Sequence, residues 1–261
     1  MQPIIRPAAF LLPFLLLPSY FCLEPAHTQN PPATGVLRLK VKYKSGETTK
    51  ELSRKRFFLI KGSLDENKSL IERIRQTAVP SRECYYRARN ASDALIKWLR
   101  ENDCESVYCR DIEDKYLTGT DAVPEFRAAY DQALREFKTP ELARLWLTVY
   151  LPPDIRSGFY NEKQKTIGTL AAAFPNVMSV MTDRHGSAYL TDIEPGVYIV
   201  SNLVASETEK TSILWACEKE IKAADLSMAI RRPFILSNEK DAKIKCEIVE
   251  RPLPVCEKPA K

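Results

Sequence analysis

A chain of 261 residues, 44% hydrophobic and 28% charged, can bury one or two ordinary cores and has neither a disordered nor a fibrous composition. Its formal net charge of +5 is the balance of 39 basic and 34 acidic residues interspersed along the chain. That pattern reads as a solvated surface, and no basic tail, finger spacing or aromatic-glycine repeat points to nucleic acid.

At the N-terminus a short positive segment, Met1 to Arg6, precedes an apolar run, Ala8 to Phe21, broken by Pro13 and Pro18. A spanning helix needs about 20 apolar residues without such breaks, so residues 1–28 read as a signal peptide ending at Ala26-x-Thr28. Cys22 follows Phe21, where lipid attachment would need a small residue, and is read as part of the signal. The expected location is secreted or periplasmic, with no integral membrane span after cleavage. Residues 29–35 form a flexible leader.

Val36 to Tyr43 alternates strictly, Leu37, Leu39, Val41 and Tyr43 against Arg38, Lys40 and Lys42, as a half-buried strand does. Lys44 to Lys50 reads as a turn, and Phe57-Phe58-Leu59-Ile60 as a strand buried on both faces. Residues 36–62 would supply the first edge of a sandwich. The period then changes to that of helices. Ser63 to Glu66 is a capping box, with Leu70, Ile71 and Ile74 on one stripe until Pro80. Ala91 to Glu101 is a second helix, Asp121 caps a third beginning near Pro124, and Thr139-Pro140-Glu141 starts a fourth with Leu142, Leu145, Trp146 and Val149 inside. Residues 63–151 thus read as a helical insertion packed against a sheet, and 152–168 as a polar connector.

Residues 169–251 return to strands, centred on Met178 to Ser201. Asp183 and Gly186 make one turn, Pro195 and Gly196 another of type II form, and the runs they bound read as hairpin strands. Ile213 to Ile221 places Ile213, Trp215, Cys217 and Ile221 on one face. Phe234 to Leu236 and Lys243 to Glu250 follow, and 252–261 is a flexible tail. The fold class is α+β: an antiparallel β-sandwich of about seven strands with an inserted helical segment. Thr182, Asp183, Gly186, Tyr189, Ile193, Pro195, Gly196 and Tyr198 carry a pattern that resembles the carboxypeptidase regulatory-like, transthyretin-like β-sandwich module. The resemblance implies an accessory domain of secreted or envelope proteins and brings no catalytic residue.

Once the signal is removed, six cysteines remain, Cys84, Cys104, Cys109, Cys217, Cys246 and Cys256, and an even count in an exported chain favours disulfides. Three lie in the helical region and three in the β region, so complete pairing demands an odd number of bridges between the two. His185 is the one histidine of the mature chain, which excludes a metal site with two imidazoles. It has no G-x-S-x-G serine to serve and reads as a turn residue. No cofactor or metal is indicated. Tyr85, Tyr86, Phe159 and Tyr160 are the aromatic candidates for a recognition surface. These features indicate an exported, non-enzymatic binding or structural accessory protein of the cell envelope, its partner an envelope polysaccharide or a protein. The alternative is a carbohydrate-active or other hydrolase using Asp111, Glu113 or Glu194 in a cleft between insert and sheet, with Asp114 in the same acidic loop. A third reading makes Val36 to Tyr43 an open edge that adds a strand to a partner's sheet.

Overall fold

Alternation is realised directly in the first strand, where Leu37, Leu39, Val41 and Tyr43 are buried and β1 runs Gly35–Ser45. The computed structural model describes residues 34–228, 232–239 and 244–256. The expected signal peptide, Cys22, all but the end of the leader, Lys243 and residues 257–261 lie outside them.

Two sheets face each other. In the first, β2 (Thr48–Glu51) and β5 (Ser187–Ile193) pair antiparallel with β1, and β9 (Phe234–Leu236) pairs with it in parallel. The second has the order β10 (Cys246–Pro252), β8 (Thr211–Ile221), β6 (Gly196–Ser201), β3 (Arg56–Lys61), β4 (Met178–Met181), with β7 (Ser206–Glu207) on β8. Leu39, Val41, Phe57, Leu59, Val200, Ile213, Trp215 and Cys217 fill the space between the sheets.

The expected α+β fold, a β-sandwich with an inserted helical segment, is present; the described residues hold ten strands where about seven were expected, and one pairing is parallel. β2 carries no burial signature, since all four of its residues are exposed, which is why it read as turn. The expected first edge is corrected as well. β1 and β3 belong to different sheets, and β1 is paired along its length by β2, β5 and β9 instead of standing open.

The expected hairpin is also revised. β5 pairs with β1, whereas β4 and β6 both flank β3. Each turn therefore hands the chain from one sheet to the other. Turn chemistry reports that a chain reverses, while the burial of each face decides which neighbour it meets. The first turn is built as its residues require: the Asp183 carboxylate accepts from the His185 and Ser187 amides at 2.7 and 2.9 Å, and Gly186 has φ +65°. In the second, Gly196 has φ 158°, close to extended and not the roughly +80° of a type II turn.

A Cβ at Gly186 would lie 2.6 Å from the Val41 carbonyl oxygen, whereas one at Gly46, also at positive φ, meets nothing within 4 Å. Gly186→Ala is therefore expected to cost about 2–3 kcal/mol, and Gly46→Ala about 1 kcal/mol. Denaturant midpoints of the two variants check this, and equal costs would show that the contact with Val41 is immaterial.

Six helices lie between β3 and β4: α1 (Lys68–Gln76), α2 (Arg82–Arg87), α3 (Asp93–Glu101), α4 (Pro124–Phe137), α5 (Pro140–Trp146) and α6 (Phe159–Ala171). A short α7 (Ala223–Met228) follows β8. The capping box forms, with Ser63 N donating to Glu66 Oε2 and Glu66 N to Ser63 Oγ, but the helix proper starts at Lys68. Asp121 does not cap α4; Val123 stands at that position without a side-chain cap. The segment 152–168, expected as a connector, is a π-turn over Asp154–Gly158 running into α6. Its inward row is Phe159, Lys163, Ile167 and Leu170, and the lysine among them masked the stripe. α1 and α6 cover the outer face of the second sheet, meeting Phe58, Ile60, Ile199 and Leu214. The region around α2 to α5 has its own core, including Tyr86, Leu95, Trp98, Leu99 and Phe126.

Three disulfides close these parts. Cys104–Cys109 closes a short loop, Cys217–Cys246 joins directly opposed positions of β8 and β10, and Cys84–Cys256 ties α2 to the end of the described chain. Among the described residues the last is the one disulfide that joins the helical and β regions.

Candidate recognition surface

Helix α5 is apolar around most of its circumference, and small residues decide which side turns inward. Ala133 of α4 and Ala143 of α5 are fully buried, which lets the two helices approach closely after a left-handed Lys138 at φ +59°. At about 100° per residue, Ala143 and Leu147 define the inner side and Leu145 points directly away. The residues expected inside are therefore outside. Leu142, Leu145, Trp146 and Val149 are 44, 70, 46 and 50% exposed. They recur at i, i+3, i+4 and i+7, one continuous stripe along α5 and the short 3-10 helix Leu147–Tyr150. Trp146 stacks on Phe137 at 6.2 Å between centroids, which steadies its ring.

Beside the stripe runs a groove of about 410 Å³, with Glu141, Arg144, Leu145 and Thr148 on the α5 side and Tyr108, Arg110 and Asp111 opposite. Tyr108 is 58% exposed. The loop that carries it is held by the Cys104–Cys109 bridge, by Arg54 Nη1 donating to Cys109 O at 3.1 Å, and by Arg144, which pairs with Asp114 at 2.5 Å and donates to Ile112 O. Together the five exposed side chains present on the order of 500 Å² of apolar surface, at the upper end of what monomers usually show.

The aromatic residues expected at a recognition surface lie elsewhere. Tyr85, Tyr86 and Phe159 are buried against one another, with Tyr85–Tyr86 and Tyr85–Phe159 centroids 5.2 and 5.6 Å apart, and Tyr160 is half-buried. Burial pushes the Tyr86 phenol far up, and its hydroxyl donates to Glu105 O at 3.3 Å. The six-residue α2 is too short to display a period, so nothing in the sequence marked its tyrosines as inward. A helical wheel of α5 compared with α4, weighing small residues as well as large, is the one signal in the sequence that points to the exposed stripe.

The acidic candidates do not converge. Glu113 pairs with Lys115 at 2.9 Å and Glu194 with Lys61 at 3.3 Å, both at the surface, while Asp111 lines the groove. His185 is exposed, with Glu51 3.8 Å from Nδ1 and Arg184 Nε 3.0 Å from Nε2. Among the described residues no three His, Cys, Asp or Glu side chains are grouped to hold a metal, and no helix is long and apolar enough to cross a membrane.

Between insert and sandwich stand two other carboxylates, Glu105 and Glu207, in a half-hidden charge cluster. Lys163 pairs with Glu105 at 2.6 Å, Lys55 with Asp103 at 2.9 Å, and Arg82 with Asp103 and Glu207, each at 3.7 Å. Burial would push the Glu105 carboxyl up, but Lys163 and Lys55 outweigh it and hold it at about 2. Burial dominates at Glu207 and raises its carboxyl despite Arg82. The cavities beside Glu207, about 70 and 50 Å³, suit a few waters.

No family model matches the chain, and no curated protein matches it in sequence. Among solved structures it is similar to the pilus backbone protein RrgB of Streptococcus pneumoniae, 11% identical over 78% of this chain and 41% of that one, with a TM-score of 0.24. So loose a superposition carries no property across. The chain spans less than half of that protein's length.

Proposed function

We propose that this is an exported, non-enzymatic protein that acts by binding another protein through the outward face of α5 and its groove. The observation that carries the reading is the stripe Leu142, Leu145, Trp146 and Val149, held out on a helix whose opposite side is locked into a core. Loose apolar side chains scattered over a surface need no explanation, but a contiguous row on a rigid element does. Export is supported by the signal-like N-terminal sequence and by the three disulfides, which persist in oxidising compartments. The non-enzymatic part of the reading draws on Glu105 being held in an ion pair with Lys163, and on Glu207 lying beside Arg82 at cavities with room for only a few waters.

A photo-crosslinking residue placed at position 145 of the exported chain tests the reading. We expect a discrete protein adduct that Trp146→Ala weakens at least fivefold, and none from position 97 on α3, where Lys97 is exposed. Both variants should melt within about 0.5 kcal/mol of wild type, as surface substitutions do. Equal labelling at the two positions would remove the case for this face.

A further inference from the structure

We propose that the groove takes a short segment of the partner protein in which a large aliphatic or aromatic side chain stands next to a lysine or arginine. This rests on the reading of α5 as the binding face. The α5 wall runs from Glu141 to Thr148, one row of a helix about 10 Å long, which matches three or four residues of an extended chain. Leu145 and Tyr108, both exposed, are the apolar side chains the groove offers a guest.

The rim sets the charge of the guest. Arg144 is already engaged by Asp114 and the Ile112 carbonyl. Asp111, Glu141 and Arg110 line the groove, and no ion pair engages any of the three among the described residues. Two free carboxylates against one free guanidinium leave an anionic rim, and a cation beside the apolar anchor completes it. A second copy of the chain is the poorer guest. A two-fold contact sets the same patch against itself, opposing like rims, and about 500 Å² falls short of the roughly 800 Å² per partner of a standard interface.

Selection of random 12-residue peptides displayed on phage against the full disulfide-bonded chain tests this, with affinities of enriched peptides read by fluorescence polarisation. We expect a shared motif of an apolar residue adjacent to Lys or Arg, and binding that falls at least tenfold with Leu145→Ser. The double reversal Asp111→Lys and Glu141→Lys should also weaken those peptides at least tenfold, and a fresh selection on it should enrich acidic neighbours. Peptides that need Leu145 but ignore the reversal would overturn the charge inference and leave the binding face standing. Failure to enrich any peptide, enrichment of peptides indifferent to Leu145, or self-association that Leu145→Ser abolishes would overturn both.

Discussion

Replacing Cys84 and Cys256 together by serine is expected to remove about 5 kcal/mol of stability, the largest loss of any single covalent change in the molecule. The bridge closes a sequence separation of 172 residues, and the chain-entropy account of disulfides rewards long loops. The Cys217–Cys246 bridge already short-cuts part of that loop, but the dependence is logarithmic and the correction is only a few tenths of a kcal/mol. Release would also free the strap that ends at Cys256. Its Leu253 lines both small cavities beside Glu207 and donates its amide to Lys210 O at 3.0 Å. The comparison is Cys104→Ser with Cys109→Ser, whose separation is 5 residues and whose expected cost is about 2 kcal/mol. Guanidinium unfolding of the two double variants decides the matter, and equal losses would refute the dependence on loop length.

Glu105→Gln should cost about 3–5 kcal/mol, because it leaves the buried Lys163 ammonium without its carboxylate. Adding Lys163→Met should restore most of the loss, since an apolar pair of similar volume replaces a broken ionic one. The pH dependence gives a second reading of the same pair. Glu105 is held at about 2, below its ordinary 4.5, so its contribution is fully present above pH 4.5 and disappears as pH falls toward 2. That displacement corresponds to about 3 kcal/mol. Glu207 has the opposite sign. Its raised value means that acidification toward 4.5 stabilises the folded chain slightly before the loss at Glu105 begins. Wild-type stability should therefore pass a maximum near pH 5 and fall steeply below 4, while E105Q should lack the steep limb. A steep limb retained in E105Q would place the acid sensitivity in other carboxylates.

Where one face of an element is buried and the other wet, the sequence was readable. β1, the doubly buried β3 and the two faces of β8 stand where their periods place them, with Phe57 and Leu59 toward the first sheet and Phe58 and Ile60 toward the helices. Legibility ended where burial and polarity part company. Lys163 sits in an inward row because Glu105 meets it, and a row with a lysine in it does not read as helix α6. The exposed stripe of α5 was hidden from the sequence for the complementary reason. α5 offers two apolar sides, and pattern alone favours hiding the larger side chains, yet the close fit of Ala133 and Ala143 gives more packing and leaves Leu145 and Trp146 outside. Strand pairing was beyond reach for a third reason, since both sides of the Asp183 and Pro195 turns look the same whether the chain folds back in its own sheet or crosses to the other.

The span of the Cys84–Cys256 bridge also sets an order of events during oxidative folding. Cys104 and Cys109 can couple as soon as they emerge, and Cys217 with Cys246 once β8 and β10 align, but the sulfur of Cys84 must wait as a thiol for a partner 172 residues further on. Until then its nearest available mate is Cys104, and a premature bond between them would have to be undone by exchange. The native pairing is reached directly if Cys109 claims Cys104 first, and otherwise through thiol–disulfide exchange that breaks the Cys84–Cys104 bond.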